Sequence, residues 1–245
     1  MAKSARSSPL PTVVVNMAVS LDGRITTRAR EHVALGSERD RRLMDELRTR
    51  ADAVIVGAGT VRHDGHPIVL RYADLRARRA ARRGPHPVNV VLSRALDLPL
   101  RSRFFASKDT RRIVFTTTNA PKRRVRAFER VAEVIVLPGK DLSPRRVLST
   151  LVRRGYRRVL LEGGGEVHFA FAKAGLVGEV YVTVTPRLIG GKEAPSLLDG
   201  EGFLWKDHMR LRLVSVKRAG EEVFLRYRVL ASTNRPARRA RVRRP

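Results

Sequence analysis

Three consecutive glycines at residues 163–165 separate an apolar run from a helical pattern, and a carboxylate, Glu162, directly precedes them. The run at residues 158–161 predicts a buried strand, and residues 166–174 predict a helix. A strand that turns through glycines into a helix leaves backbone N–H groups free at the helix start, where the helix dipole also favours an anion. The sequence therefore predicts a phosphate site, with Glu162 at the strand end where open α/β sheets bind ligands. The alternative is a glycine-rich turn that only reverses the chain.

A second glycine cluster, residues 57–61, follows a buried run, as a dinucleotide-binding motif would. Two features depart from that motif: Arg62 replaces its third glycine, and no acid ends the next predicted strand, residues 88–92. Ser93 and Arg94 follow that strand instead, and a hydroxyl with a guanidinium suits the 2′-phosphate of NADPH. The pattern disfavours a Rossmann fold and favours another nucleotide fold with two glycine clusters. A tight turn is the alternative for the glycines of this cluster.

Four further polar residues are candidate site residues, but residue type alone does not decide between a ligand contact and a structural or surface role. Ser20 and Asp22 lie where a predicted strand runs into an Asp-Gly turn, so they serve either the turn or a ligand. Arg48 on the first predicted helix and Arg71 after the second glycine cluster are placed to grip a substrate phosphate. In a chain with 51 lysines and arginines, however, a solvated surface charge is the default for any single arginine.

Composition excludes several classes of protein. The chain has no cysteine, which excludes disulfides, zinc–thiolate sites and cysteine nucleophiles and fits a cytoplasmic protein. The six histidines lack metal-binding spacing, no G-x-S-x-G motif occurs, and no apolar run approaches the roughly 20 residues that span a bilayer. The net charge of +28 suggests nucleic acid as a partner. The basic stretches carry no interleaved aromatic residues and no known motif, so we expect no specific nucleic-acid binding.

Short β-rich runs alternate with amphipathic helices, which predicts an α/β fold with a mostly parallel sheet covered on both faces. Runs at residues 211–217 and 223–230 predict a closing antiparallel hairpin. Ser37 is the predicted N-cap of the first helix, with Asp40 as its partner in an approximate capping box. We predict a basic N-terminal extension at residues 1–10, a single domain at residues 11–231 and a disordered arginine-rich tail at residues 232–245. Within the domain, residues 71–87 are a predicted surface insertion. The remaining predicted strands are residues 13–19, 53–56, 88–92, 113–117, 134–137, 158–161 and 179–185, and the helices are residues 37–50, 121–130, 143–154 and 166–174.

Taken in order, these segments resemble the riboflavin-biosynthesis pyrimidine reductases. That family includes the reductase half of the bacterial bifunctional deaminase–reductase and the stand-alone archaeal and fungal reductases. No single motif is specific, but the ordered set is, and its spacing is right from about residue 11 to residue 230. The segments that carry the resemblance are residues 20–24, 56–61 with Asp64, 161–165, 175–177, 185–195 and 200–203.

The resemblance implies a dihydrofolate-reductase-like three-layer α/β/α sandwich, usually a homodimer, that binds NADPH. The implied reaction moves a hydride to C1′ of a phosphoribosylaminopyrimidine and gives the ribitylamino product. Eleven residues are expected to contact NADPH: Ala18, Val19, Thr60, Asp64, Ser93, Arg94, Gly164, Gly165, Glu166, Val167 and His168. The expected substrate contacts are Ser20, Arg48, Arg71 and Glu162, and the expected catalytic residues are Glu162, Asn16 and Asp22. Glu162 is expected either to hydrogen-bond the pyrimidine or to assist proton transfer to the opening ribose.

The sequence also departs from the family pattern. Asn16 stands where the bifunctional members usually carry lysine, residues 32–37 lack the usual serine in register, and Pro67 is displaced by one position. The zinc-deaminase motif is absent, so another enzyme must deaminate, and Asn16 favours reduction before that step. Two alternatives stay open: an NADPH reductase of the same fold with a different substrate, and a non-catalytic protein associated with nucleic acid.

Overall fold

One mixed sheet of nine strands runs through the computed structural model, which describes residues 10–31 and 33–230. The predicted N-terminal extension, apart from Leu10, and the predicted arginine-rich tail lie outside the described residues, as does His32. In spatial order the strands are β5-β4-β3-β2-β6-β1-β7-β9-β8. Their bounds are β1 Thr12–Ser20, β2 Ala53–Gly57, β3 Val88–Leu92, β4 Arg112–Thr117, β5 Glu133–Leu137, β6 Arg158–Leu161, β7 Val177–Thr185, β8 Leu211–Ala219 and β9 Glu222–Val229.

All pairings from β5 to β7 are parallel, and β9 pairs antiparallel with both β7 and β8. The predicted α/β fold with a parallel sheet and a closing antiparallel hairpin is therefore confirmed. Strands β6, β1 and β2 come from distant parts of the chain but lie side by side, with β6 between the other two. The residues that follow these strands consequently meet at one edge of the sheet.

Helices cover both faces of the sheet and bury two separate apolar clusters. Leu148 and Phe171 belong to the first cluster, under α6 and α7, and Leu47 and Phe128 belong to the second, under α1 and α5. This gives the three layers that the sequence predicts. The helices are α1 Glu38–Arg50, α2 Ala58–His63, α3 Ala73–Ala80, α4 Arg103–Ala106, α5 Lys122–Phe128, α6 Pro144–Arg153 and α7 Gly165–Lys173, with a short 3-10 helix at Trp205–Asp207.

The N-terminus of α1 is fixed by a distant residue. Ser37 caps the helix as predicted, because its hydroxyl accepts hydrogen bonds from the amides of Arg39 at 3.2 Å and Asp40 at 3.5 Å. The prediction that Asp40 completes a capping box is wrong, because the Ser37 amide donates to Glu222 instead. The Ser37 amide and hydroxyl donate to the Glu222 carboxylate at 2.7 and 2.6 Å. Glu222 begins β9, so this pair joins α1 to the antiparallel end of the sheet.

The predicted surface insertion at residues 71–87 is only partly a surface feature. It contains α3, which packs on α1 through the buried side chains of Leu75 and Arg79. Arg42 on α1 donates to Asp74 at 2.6 Å across the same contact. The charged residues of this segment hide its buried positions from a sequence pattern, because the stem of a buried arginine packs like an apolar side chain.

Candidate active site

Both glycine clusters face one cavity of about 1110 Å³ at the carboxyl edge of the parallel strands. Pairing of β2 with β6 places the residues after Gly57 beside those after Leu161. The structure therefore brings together segments about 100 residues apart in sequence, as a two-cluster nucleotide site requires. The predicted site residues that line this cavity are Thr60, Asp64, Ser93, Arg94, Glu162, Gly164, Gly165, Glu166 and Val167.

The glycines of the two clusters pack against each other. The Gly57 amide donates to the Gly163 carbonyl at 2.9 Å, and a Cβ on Gly57 would lie 2.9 Å from the Val167 side chain. Gly163 has a φ of +132°, a conformation that side chains rarely adopt, and the Gly163–Gly164 peptide bond is cis. A Cβ on Gly163 would also lie 3.2 Å from the Thr60 hydroxyl. Packing and backbone conformation thus both require glycine here.

The start of α7 has the properties of an anion site. Gly164 is its N-cap and forms no side-chain cap, and the first amides of a helix have no acceptor within the helix. The helix dipole adds positive potential at the same point. Four arginines and a lysine also line the cavity, so phosphate groups fit its electrostatics. These basic residues are Arg24, Arg30, Arg62, Arg94 and Lys192.

Glu162 meets Arg48 in a two-pronged ion pair at the edge of the cavity. The Arg48 Nε donates to one carboxylate oxygen at 2.8 Å and its Nη2 donates to the other at 2.7 Å. Both side chains are less than one-tenth exposed. Burial acts to lower the pKa of Arg48, but the charges of Glu162 and Asp45 outweigh it and raise that pKa above its ordinary value. The predicted substrate contacts Glu162 and Arg48 therefore form one unit.

Asp45 is a site residue that the sequence analysis does not identify. Its carboxylate is fully buried, accepts a hydrogen bond from Arg48 Nη1 at 3.0 Å and also accepts the backbone amides of Arg71 and Tyr72. Arg48 Nη1 donates further to the Val69 carbonyl at 3.0 Å. Asp45 thus ties both predicted substrate arginines to each other. Its position in helix α1, three residues before Arg48, is the only local signal for this role.

Ser20 and Asp22 lie away from the cavity lining and serve a turn. The Ser20 hydroxyl donates to Asp22 at 2.7 Å, and the amides of Ile189 and Gly190 donate to the same carboxylate at 3.0 and 2.7 Å. These bonds, led by the Ser20 hydroxyl, lower the pKa of Asp22 to about 2. The turn interpretation fits this geometry, and neither Ser20 nor Asp22, both predicted to serve either the turn or a ligand, lines the cavity.

The side chain of His168, on α7, is fully buried and does not line the cavity. Its Nδ1 lies 3.0 Å from the Leu197 carbonyl, and burial lowers its pKa to about 4, so the ring is neutral at physiological pH. Ala18 and Val19 likewise do not line the cavity, whereas Met17 does. Strand alternation places Met17 on the face of Val13 and Val15, a signal that the sequence analysis passes over.

Three predicted contacts are at surface positions. Arg94 lines the cavity, and its guanidinium forms an exposed ion pair with Asp141 at 3.3 Å, which a phosphate can replace at little cost. Asp64 lies within 2.9 Å of the His66 ring at the end of α2. The guanidinium of Arg71 forms no ion pair within the part of the chain that the structure describes, so it is available for a ligand anion.

Across the described ranges, no helix is long and apolar enough to cross a bilayer, and no three acidic or histidine side chains group as metal ligands. The sheet topology and the glycine-lined cavity are those of an α/β protein with a candidate phosphate site at the strand ends. The chain matches the family described as the RibD C-terminal domain over residues 11–225. It belongs to that family.

Relatives of similar length carry reductase names. The chain is 35% identical over 212 residues to the 2,5-diamino-6-ribosylamino-4(3H)-pyrimidinone 5′-phosphate reductase of Archaeoglobus fulgidus, covering 86% of this chain and 94% of that protein. It is 32% identical over 220 residues to the protein of that name from Methanothermobacter thermautotrophicus, covering 89% and 98%. A crystal structure of a pyrimidine reductase-like protein from Corynebacterium diphtheriae superposes with a TM-score of 0.79 at 25% identity, covering 90% of this chain and 92% of that one.

Proposed function

We propose that this chain reduces C1′ of a 2,5-diamino-6-ribosylamino-pyrimidinone phosphate with NADPH, giving the ribitylamino product in riboflavin biosynthesis. The observation that carries the proposal is the junction of the Glu162–Arg48 pair with the glycine-lined cavity. The Glu162–Arg48 pair suits a polar substrate, and the glycine-lined cavity suits the phosphates of a cofactor. The names of the archaeal relatives, which match over nearly their whole lengths, support the same reaction and the aminated substrate.

The cofactor fits the residues that are present. A Cβ on Gly164 would meet open space, so a ligand can approach the backbone there, and the start of α7 offers free amides. Ser93 and Arg94 line the cavity and suit the 2′-phosphate that distinguishes NADPH from NADH. When bound, NADPH supplies the hydride, and the protein must orient the substrate beside it and exclude water.

The substrate contacts are divided between Glu162 and the arginines. An ionised carboxylate has about four lone-pair sites, so Glu162 can accept from a ligand while Arg48 holds both of its oxygens. In this role Arg48 positions Glu162, since its own donors are largely used within the protein. The backbone amide of Arg71 is held by Asp45, and its guanidinium forms no ion pair with the residues that the structure describes, so Arg71 is the candidate for the ribose phosphate.

The assembly and location follow the same proposal. Part of β8 exposes apolar side chains that a second copy would cover, so we expect a homodimer. We place the enzyme in the cytoplasm, where phosphorylated intermediates are made and consumed. Its partners are then the pyrimidine, NADPH and its own second copy, without a specific nucleic acid.

An assay with both candidate substrates tests the proposal. GTP cyclohydrolase II generates the diaminopyrimidine in situ, and addition of a separate deaminase converts it to the deaminated form. We expect NADPH oxidation, monitored by absorbance, to be fast without deaminase and slow with it. If NADPH binds but neither pyrimidine causes its oxidation, the result would instead support a reductase of the same fold that acts on another compound. The altered segments at residues 32–37 and 64–69 favour that second candidate.

A further inference from the structure

Residues 68–71 lie between α2 and α3, outside the helices and strands, and end at Arg71. Their side chains alternate in burial. Ile68 and Leu70 are 8% and 0% exposed, whereas Val69 is partly exposed and Arg71 is exposed. A slip of one residue would reverse this pattern, because side chains of an extended chain alternate between two faces. The register of the segment therefore decides whether the Arg71 guanidinium is available to a ligand.

Side chains satisfy the backbone of this segment in place of a strand partner. Among the residues that the structure describes, no backbone group bonds to the backbone of residues 68–71. The carboxamide of Asn89, fully buried on β3, accepts from the Ile68 amide at 2.8 Å and donates to the Ile68 carbonyl at 3.0 Å. It also donates to the Pro87 carbonyl at 3.1 Å. Asn89 thus pairs with Ile68 as a neighbouring strand would, and it sets the register there.

His86 holds the next inward-facing residue of the segment. Its Nδ1 accepts a hydrogen bond from the Leu70 amide at 3.0 Å, which requires a ring nitrogen without a proton. Burial is the main cause that lowers the pKa of His86 below its ordinary value. The charge of Asp109 opposes that shift, and the charges of Arg76 and Arg79 add to it. The ring is therefore neutral at physiological pH and can accept this bond.

The segment also contacts the residues proposed to bind substrate. Asp45 accepts the amide of Arg71, and the Val69 carbonyl accepts from Arg48 Nη1 at 3.0 Å. Arg48 in turn holds both carboxylate oxygens of Glu162, which lines the cavity. A shift of the segment would therefore disturb the contacts of both proposed substrate arginines.

Apolar packing alone would leave the register of this segment loose. The hydrophobic effect is non-directional, whereas a hydrogen bond needs its donor and acceptor aligned. We call the bonds of Asn89 and His86 to this segment the two tethers. Loss of one tether should leave Ile68 and Leu70 buried while the backbone between them shifts. Arg71 directly follows Leu70, so its guanidinium would move with that backbone.

We propose that His86 and Asn89 are positioning residues for the ribose phosphate, because they fix the register that presents the Arg71 guanidinium to it. This role rests on the proposed function. Neither residue lines the cavity, and neither belongs to the segments that carry the family resemblance. Both act on the binding of the phosphate and not on hydride transfer, so KM for the pyrimidine should carry their effect and kcat should not.

The test compares KM and kcat for the diamino pyrimidine in variants of the full chain. His86→Leu removes the acceptor of the Leu70 amide and should raise KM by about tenfold, the factor that one buried hydrogen bond supplies. His86→Asn should restore a KM close to wild type, because its side-chain oxygen can take the place of Nδ1. NADPH affinity should not change in either variant. His208→Leu, the same change at an exposed histidine, is the matched control and should keep the wild-type KM.

A double-mutant cycle separates positioning from a general loss of structure. In an Arg71→Ala background, His86→Leu should have no further effect on kcat/KM, because its effect passes through Arg71. Asn89→Leu keeps the size of the side chain and removes both bonds to Ile68, so it should show the same pattern. An equal loss of kcat/KM with and without Arg71, or an unchanged KM in folded His86→Leu, overturns the positioning role.

Ribose 5-phosphate, the phosphate-bearing half of the proposed substrate, distinguishes this role from the proposed function. Wild type that reduces neither pyrimidine overturns the proposed function, and calorimetry with this probe then tests the tethers. A Kd for ribose 5-phosphate that rises by about tenfold in His86→Leu retains the positioning role. An unchanged Kd, or a wild type that does not bind the probe, overturns it.

Discussion

The Glu162–Arg48 pair combines a buried charge with access to the cavity, and this sets the expected effect of changing it. In Glu162→Gln the side chain keeps its shape, but Arg48 loses the negative charge that balances it. We expect the fold and NADPH binding to persist and kcat to fall by about 10²-fold, the lower range for removal of a group that assists proton transfer. Steady-state kinetics and NADPH titration measure the two quantities. Near-wild-type turnover would show that Glu162 does not act on the substrate.

Asp45 shows how a residue outside the cavity can act through Arg48 on Glu162, which lines the cavity. Asp45→Ala leaves Arg48 with only Glu162 as a charged partner and frees the amides of Arg71 and Tyr72. Breaking a buried ion pair on one side costs about 3–5 kcal/mol of stability, which denaturant unfolding measures. The exposed pair of Arg42 with Asp74 offers the control, since Asp74→Ala should cost much less stability than Asp45→Ala. Equal losses in the two variants would contradict a positioning role for Asp45.

At the scale of elements, Asp22 fastens the loop after β7 to the turn after β1. Its pKa falls from 3.8 to about 2 on folding, so the folded state holds the ionised form more strongly than the unfolded chain does. The stabilisation is complete above pH 3.8 and is lost as pH falls towards 2. Thermal melts of wild type and Asp22→Asn should therefore differ in Tm at neutral pH and converge in acid. A difference that stays constant down to pH 2 would mean that the loop is not held by the charge.

Most strands of the fold can be predicted from their apolar runs and from the glycines that follow them. Short apolar runs predict buried strands, and residues 53–57 are buried throughout while residues 88–92 are buried except for the partly exposed Leu92. Glu222 could not be predicted as the partner of Ser37, because the two are 185 residues apart and meet only through the order of strands. The burial of the His168 side chain could not be predicted, because residue type and spacing do not give the direction of a side chain on a helix. The six-residue α2 is too short for a periodic pattern to identify.

At the scale of the whole molecule, the antiparallel end of the sheet has one apolar and one polar face. Register places Leu213 and Val216 on the same face as Tyr227 and Leu225, whereas Lys217 lies on the opposite face. Leu213 and Val216 are 50% and 54% exposed, which is unusual for adjacent apolar side chains on one sheet face. A second copy of the chain would bury this face and so join two sheets into the expected homodimer.

The dimer prediction is tested by placing one charge on each face of β8. Val216→Glu puts an uncompensated carboxylate into the apolar face, where burial without a partner is costly, so the dimer should dissociate to monomers. Lys217→Glu introduces the same side chain next to it on the polar face and should leave the dimer intact. Sedimentation velocity measures the mass of each form, and circular dichroism verifies that both variants are folded. A dimer that survives Val216→Glu would place the interface elsewhere, and a monomeric wild type would mean that this face meets a different partner. If the active site is complete within one chain, as the cavity lining indicates, monomeric Val216→Glu should retain NADPH binding.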